Sequence, residues 1–220
     1  MSATRQLEVD AARLVRWVTG FEQRHGATQA VSNLEELSLT AADGSTAVCR
    51  VPFPPMAPSP APDGAQSPAV DAAGAVAGHA AISRQVLAVL VRRGGYACAV
   101  LAGDRVQVSK VGSRYVQSRT AAGGWSQQRF ARRRENQAAG LVGAAVEVAV
   151  RLLVPAAGTA QLLVTGGDKS LVEDTLADRR LAALRTVRRG IHLDVPDPKA
   201  ALVADLARRL RIVRIAITET

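Results

Sequence analysis

At 220 residues and 48% apolar content the chain can bury one large core or two small ones, and 28 basic against 19 acidic residues leave a formal net charge of +9. That charge points to an anionic partner, and 25 of the 28 basic residues are arginine, whose planar guanidinium grips phosphate in bidentate fashion. Cys49 and Cys98 show neither Cys-x-x-Cys nor Cys/His spacing, no apolar run approaches the roughly 18 residues of a membrane span, and the N-terminus carries no hydrophobic signal core. A disulfide framework, a metal or other cofactor and a membrane partner are therefore not expected, and a cytoplasmic location is. Genomic base composition is an alternative source of the arginine excess over lysine, but the net charge counts both.

In chain order, Leu7, Ala11, Leu14, Val15, Val18 and Phe21 recur at helical spacing and predict a helix that stops near Gly26. Leu37–Leu39 and Ala47–Val51 flank Asp43-Gly44 and predict a hairpin. Seven of the ten prolines fall between Pro52 and Pro68, followed by alanine and glycine, so residues 52–80 read as a linker or mobile loop. The strands Val86–Val91, Tyr96–Leu101 and Arg105–Val111, separated by Arg92-Arg93-Gly94-Gly95 and Gly103-Asp104, form a predicted meander. An extended stretch from Tyr115 to Thr120 leads to Gly123-Gly124, and a helix runs from Ser126 to about Leu153. A buried strand at Gln161–Thr165, a helix at Ser170–Arg185, an extended piece at Ile191–Val195 and a helix near Pro198–Leu210 complete the chain. The fold class is α/β, a mixed sheet flanked by helices, with an N-terminal helix and hairpin. The expected divisions are residues 1–51, the linker 52–80, and an α/β domain over 81–220.

Most chemistry-bearing combinations have bland explanations. Gly166-Gly167-Asp168-Lys169-Ser170 sits between a strand and a helix but lacks phosphate-loop spacing, so it reads as a turn with a capping residue. His25, His79 and His192 are scattered and suggest no triad. Glu173 and Asp174 suit the first turn of their helix, and Cys49 and Cys98 lie in apolar strands as small buried hydrophobes. The exception is Gly123-Gly124-Trp125-Ser126-Gln127-Gln128-Arg129-Phe130-Ala131-Arg132-Arg133. Here a glycine pair able to approach a ligand closely delivers two glutamines to an arginine-rich helix. Arg129, Arg132, Arg133 and Asn136 share one stripe of that helix, and Phe130, Leu141, Ala145 and Val148 the neighbouring one.

Gly123-Gly124, Ser126 and Arg129-Phe130-Ala131-Arg132 resemble the glycine-glycine-glutamine loop and following helix in the catalytic domain of eukaryotic and archaeal class I release factors. Aligned without gaps, that family's glutamine falls on Trp125. The stretch is closer to the Vms-like release factors, whose loop reads Gly-Gly-Ser-Gln; one inserted residue, Trp125, brings their glutamine onto Gln127, with Gln128 the alternative carrier. Arg114-Tyr115 and Arg119 resemble the strand leading into that loop, and the similarity extends over roughly residues 81–220. The resemblance implies a release-factor catalytic-domain fold and a peptidyl-tRNA hydrolase that rescues stalled ribosomes. Its partners would be peptidyl-tRNA and the peptidyl-transferase centre of the large ribosomal subunit. It further implies that Gly123, Gly124, Gln127 and Gln128 form the catalytic loop, and that Arg114, Arg119, Trp125, Arg129, Arg132 and Arg133 contact RNA. The alternatives are a nuclease that cuts the tRNA acceptor end and a noncatalytic ribosome- or RNA-binding module.

Overall fold

The computed structural model describes residues 4–57, 67–113 and 126–219, and only the backbone of residues 126–134. In chain order the elements are β1 (Thr4–Asp10), α1 (Leu14–His25), β2 (Thr28–Ser32), β3 (Glu36–Ala41), β4 (Thr46–Arg50), α2 (Pro68–Ala81), β5 (Gln85–Arg92), β6 (Gly95–Ala102), β7 (Arg105–Gly112), α3 (Ser126–Leu152), β8 (Leu162–Gly167), α4 (Lys169–Leu176), β9 (Arg189–Leu193), α5 (Ala200–Ala204), α6 (Leu206–Arg209) and β10 (Ile212–Thr218). They form two units, residues 1–82 with 208–220, and residues 83–207.

The first unit is an antiparallel sheet of order β1-β10-β4-β3-β2, with α1 and α2 on one face. Its core joins Leu14, Val18 and Phe21 of α1 and Ala69, Ala73, Val76 and Ala80 of α2 to Leu37, Leu39, Cys49, Val213, Ile215 and Ile217 of the sheet. The predicted hairpin is β3-β4, and Gly44 at its turn has φ of +86°, which favours glycine. Asp43 accepts the Ser45 amide at 2.8 Å and lies 2.8 Å from His25 Nδ1, fastening the end of α1 to the turn.

Three features of this unit differ from the sequence expectation. Leu7 lies in β1, not in the helix: Leu7-Glu8-Val9-Asp10 alternates as a strand does, and Asp10 caps the 3-10 turn Ala11–Arg13 by accepting the Ala12 amide at 3.0 Å. Residues 68–80 of the expected linker are helical, in a helix that runs to Ala81. Ser67 caps the Ala69 amide, Pro68 occupies the first turn where its missing N–H costs nothing, and the small side chains at 69, 73, 76 and 80 are fully buried. Finally, residues 212–218 pair between β1 and β4, so the chain returns to the first sheet instead of ending in a domain that begins at residue 81.

The second unit is the mixed sheet β7-β6-β5-β8-β9. Its first three strands form the predicted meander, and β8 and β9 continue parallel to β5. Central strands β5 and β6 are buried on both faces, as their unbroken apolar runs require. One face packs under α3, α4 and a 3-10 stretch at Arg179–Thr186, through Leu87, Val89, Cys98, Val100, Leu141, Ala145, Leu171, Leu176 and Leu181. The predicted 170–185 helix breaks at Ala177-Asp178, where Asp178 caps the Arg180 amide at 2.9 Å. The predicted terminal helix is two short ones, α5 and α6.

Candidate functional site

The sequence directs attention to α3 and the segment before it. With 27 residues α3 has an axial rise of about 40 Å. The first of its described side chains to pack against the core is Ala138, and the first fully buried one is Leu141. About three turns, roughly 18 Å of helix, precede that contact. From Leu141 onward Ala145, Val146, Val148, Ala149 and Leu153 seat the helix on the β5-β6 face. The Cys98 thiol of β6 donates to the Ala145 carbonyl at 3.8 Å. Burial pushes this thiol up to about 12, which makes it an inert packing group.

Arg114, Arg119, Gly123, Gly124 and Trp125, with the extended stretch 115–120, lie outside the described residues. Gln127, Gln128, Arg129, Arg132 and Arg133 belong to the first turns of α3, but their side chains lie outside the description too. The helical register puts positions 129, 132, 133 and 136 on one stripe, and Asn136, the described member, is exposed. Leu141, Ala145 and Val148, placed by the sequence on the neighbouring stripe, are all buried.

The competing constellations resolve into structural roles. Asp168 is the N-cap of α4 and accepts the Ser170 amide at 3.1 Å and its hydroxyl at 2.9 Å. Burial alone would raise its carboxyl, but the hydrogen bonds from Ser170 and Leu171 and the nearby Arg93 charge outweigh it and hold the group below the usual aspartate range. Gly167 before it has φ of +93°, and a Cβ there would meet the Val91 carbonyl oxygen at 2.3 Å. The His192 ring is held from both sides, Nδ1 at 3.0 Å from Thr165 Oγ1 and Nε2 at 3.1 Å from the Gly167 carbonyl. His79 Nε2 bonds to the Phe53 carbonyl at 3.2 Å, so each histidine has a local partner. Glu173 pairs with Arg189 at 2.9 Å, and that hydrogen bond holds its carboxyl below the ordinary value. Among the described residues no group of three or more histidines, cysteines or carboxylates could hold a metal ion, and no helix is long and apolar enough to cross a membrane.

Comparison with known proteins returns to the same part of the chain. Curated proteins give no significant match. Among solved structures, the crystal structure of the archaeal translation termination factor aRF1 is similar at 15% identity and a TM-score of 0.37. That likeness covers 78% of this chain and 51% of the archaeal one, so the chain spans about half the length of that factor. The profile of the Actinobacteria/chloroflexi VLRF1 release factors matches residues 84–216, more than half of the chain, from β5 into β10 and across α3 with the segment before it. The chain belongs to the Actinobacteria/chloroflexi VLRF1 release factor family.

Proposed function

We propose that this release factor is a peptidyl-tRNA hydrolase that rescues stalled ribosomes, with Gly123-Gly124 at the tip of a loop entering the peptidyl-transferase centre of the large subunit. The observation that carries this reading is the family match over residues 84–216, which takes in both the glycine pair and the helix that follows it. In the proposed reaction water attacks the ester carbonyl, the bond from that carbon to the tRNA ribose oxygen breaks, and the ribose oxygen leaves with a proton. The products are a free peptide carboxylate and a tRNA with an intact 3′ end. A glutamine amide neither titrates nor attacks, so Gln127, or Gln128 in the alternative register, contributes by orienting the water and supporting developing charge. The glycines let the backbone approach the ester. Arg114, Arg119, Arg129, Arg132 and Arg133, with Trp125, hold ribosomal or transfer RNA and set insertion depth, as phosphate contacts set register generally. The net charge of +9 supports an RNA partner. Seating of α3 from Leu141 onward supports the reading as well, because a catalytic group gains precision from a rigid base.

The test is a reconstituted assay on ribosome-bound peptidyl-tRNA in which both products are sized. Free peptide with a full-length tRNA supports ester hydrolysis. A tRNA shortened at its acceptor end would make the protein a nuclease, and binding without either product would make it a noncatalytic module.

A further inference from the structure

A second cationic constellation lies on α1, in the other unit. Arg13, at the start of the helix, and Arg16, Trp17, Gly20 and Arg24 fall at i, i+3, i+4, i+7 and i+11, one stripe that lines a cleft of about 770 Å³. The neighbouring stripe, Leu14, Val18 and Phe21, is fully buried, so packing of the apolar side fixes which way the arginines face. Arg208 adds a further guanidinium to the lining.

The cleft also contains two carboxylates, but both are engaged. Glu8 pairs with Arg214 at 3.5 Å, and Asp10 accepts the Ala12 amide. Among the described residues no carboxylate pairs with Arg13, Arg16 or Arg24, and all three are exposed. Three unpaired guanidinium groups within about 16 Å of helix raise the local potential and favour a ligand carrying repeated negative charge. Gly20 sits one turn from both Arg16 and Arg24, where glycine is a poor helix former. What it supplies is space: among the described residues the sole atom within 4 Å of a Cβ placed there is Nη1 of Arg24, at 4.0 Å. Trp17, half-buried and stacked on Phe21 at 5.6 Å, gives the cleft a flat apolar wall.

We propose that this cleft binds the backbone of single-stranded RNA, with Arg13, Arg16 and Arg24 on phosphates along the strand and Trp17 against a base. Cations spaced one and two turns apart along an open groove suit an extended strand that presents phosphates in a row. A small anion would instead need them to converge on one point. The site belongs to the unit of residues 1–82 and 208–220, whereas Gly123 and Gly124 fall within the span 83–207, so it would bind RNA independently of that loop.

The probe is a fluorescein-labelled mixed-sequence RNA of about 12 nucleotides, within the span of a single-strand site. Anisotropy is read across a salt series without ribosomes. The starting protein carries Arg129→Ala, Arg132→Ala and Arg133→Ala, which removes the arginine stripe of α3 from the measurement. Adding Arg16→Glu and Arg24→Glu should weaken binding and reduce the slope of log affinity against log salt by about 1.4, about 0.7 for each phosphate released. Arg16→Lys with Arg24→Lys should keep the slope. Gly20→Leu, which fills the cleft without removing a charge, should weaken binding several-fold while the melting temperature does not fall; this variant keeps the test decisive if the charge reversals disturb folding. Unchanged affinity and slope in the folded Glu variant, or unchanged affinity in Gly20→Leu, would overturn the proposal. Full displacement of the RNA by ATP at its own molar concentration would assign the cleft to a free nucleotide and overturn it equally.

Discussion

The Cys98 thiol on β6 donates to the Ala145 carbonyl on α3 at 3.8 Å, joining the central sheet of the second unit to the helix whose first turn carries Gln127 and Gln128. Small residues at both positions let the helix lie close to the strand. The thiol is fully buried, and Cys49 is buried equally in the first unit.

Both thiols are pushed up to about 12 by burial. A native chain should therefore resist a thiol reagent at neutral pH and react at two sites after unfolding. Between roughly pH 9, where unfolded thiols ionise, and pH 12 the unfolded chain binds fewer protons than the folded one, so stability should fall as pH rises through that window. Reagent counting, and urea melts at pH 7 and about pH 10, check the two expectations.

Leu141 begins the fully buried part of α3. Leu141→Ala should cost about 2–5 kcal/mol, the usual result of emptying a leucine-sized space in a packed core. Urea denaturation measures it. A cost below about 1 kcal/mol, typical of a surface substitution, would mean that α3 is not seated as described.

At the start of α4, Asp168→Ala should cost about 1 kcal/mol through loss of the cap. Because the folded-state carboxyl lies below its unfolded value, its contribution is present above the ordinary aspartate range and is lost as pH falls through the folded value. The Ala variant should therefore lose less stability than the wild type on acidification, measured by thermal melts from about pH 6 down to about pH 3. Gly167→Ala should be worse than the cap deletion, because it combines φ of +93° with a collision against the Val91 carbonyl.

The second unit was largely legible in the sequence because its signals are local and unambiguous. Val86–Val91 and Tyr96–Leu101 are apolar runs bounded by glycine turns, and Gly166–Ser170 carries its own cap. The first unit was harder to read. Leu7 satisfies both a helical period with Ala11 and a strand alternation with Val9, and pairing with β10 decides between them. Alanine and glycine at 69–80 lack the hydrophobic contrast that marks a helix, yet their small size is what packs α2 against α1. β10 does alternate, with Val213, Ile215 and Ile217 inward, but its partners lie over 150 residues earlier, a pairing that no local pattern encodes. The proposed loop was marked by residue chemistry, while the arginine row of α1 became apparent only once the cleft gave it a shape.

Arg132→Glu combined with Arg133→Glu should weaken ribosome binding and flatten its salt dependence, since a phosphate that no arginine neutralises keeps its condensed counterions. Sedimentation with ribosomes across a salt series reads both quantities. An unchanged affinity and slope would remove this stripe of α3 from the interface.

The central claim is most directly tested by Gln127→Ala, measured for peptide release from ribosome-bound peptidyl-tRNA at saturating protein, with ribosome binding and circular dichroism followed in parallel. Loss of a water-orienting amide should reduce release about 10²- to 10³-fold, on the scale of deleting one oxyanion donor, and leave binding and fold unchanged. Gln128→Ala should do less; the reverse order would move the reacting amide by one residue. Full release by both single variants and by the double variant would contradict the glutamine-loop account.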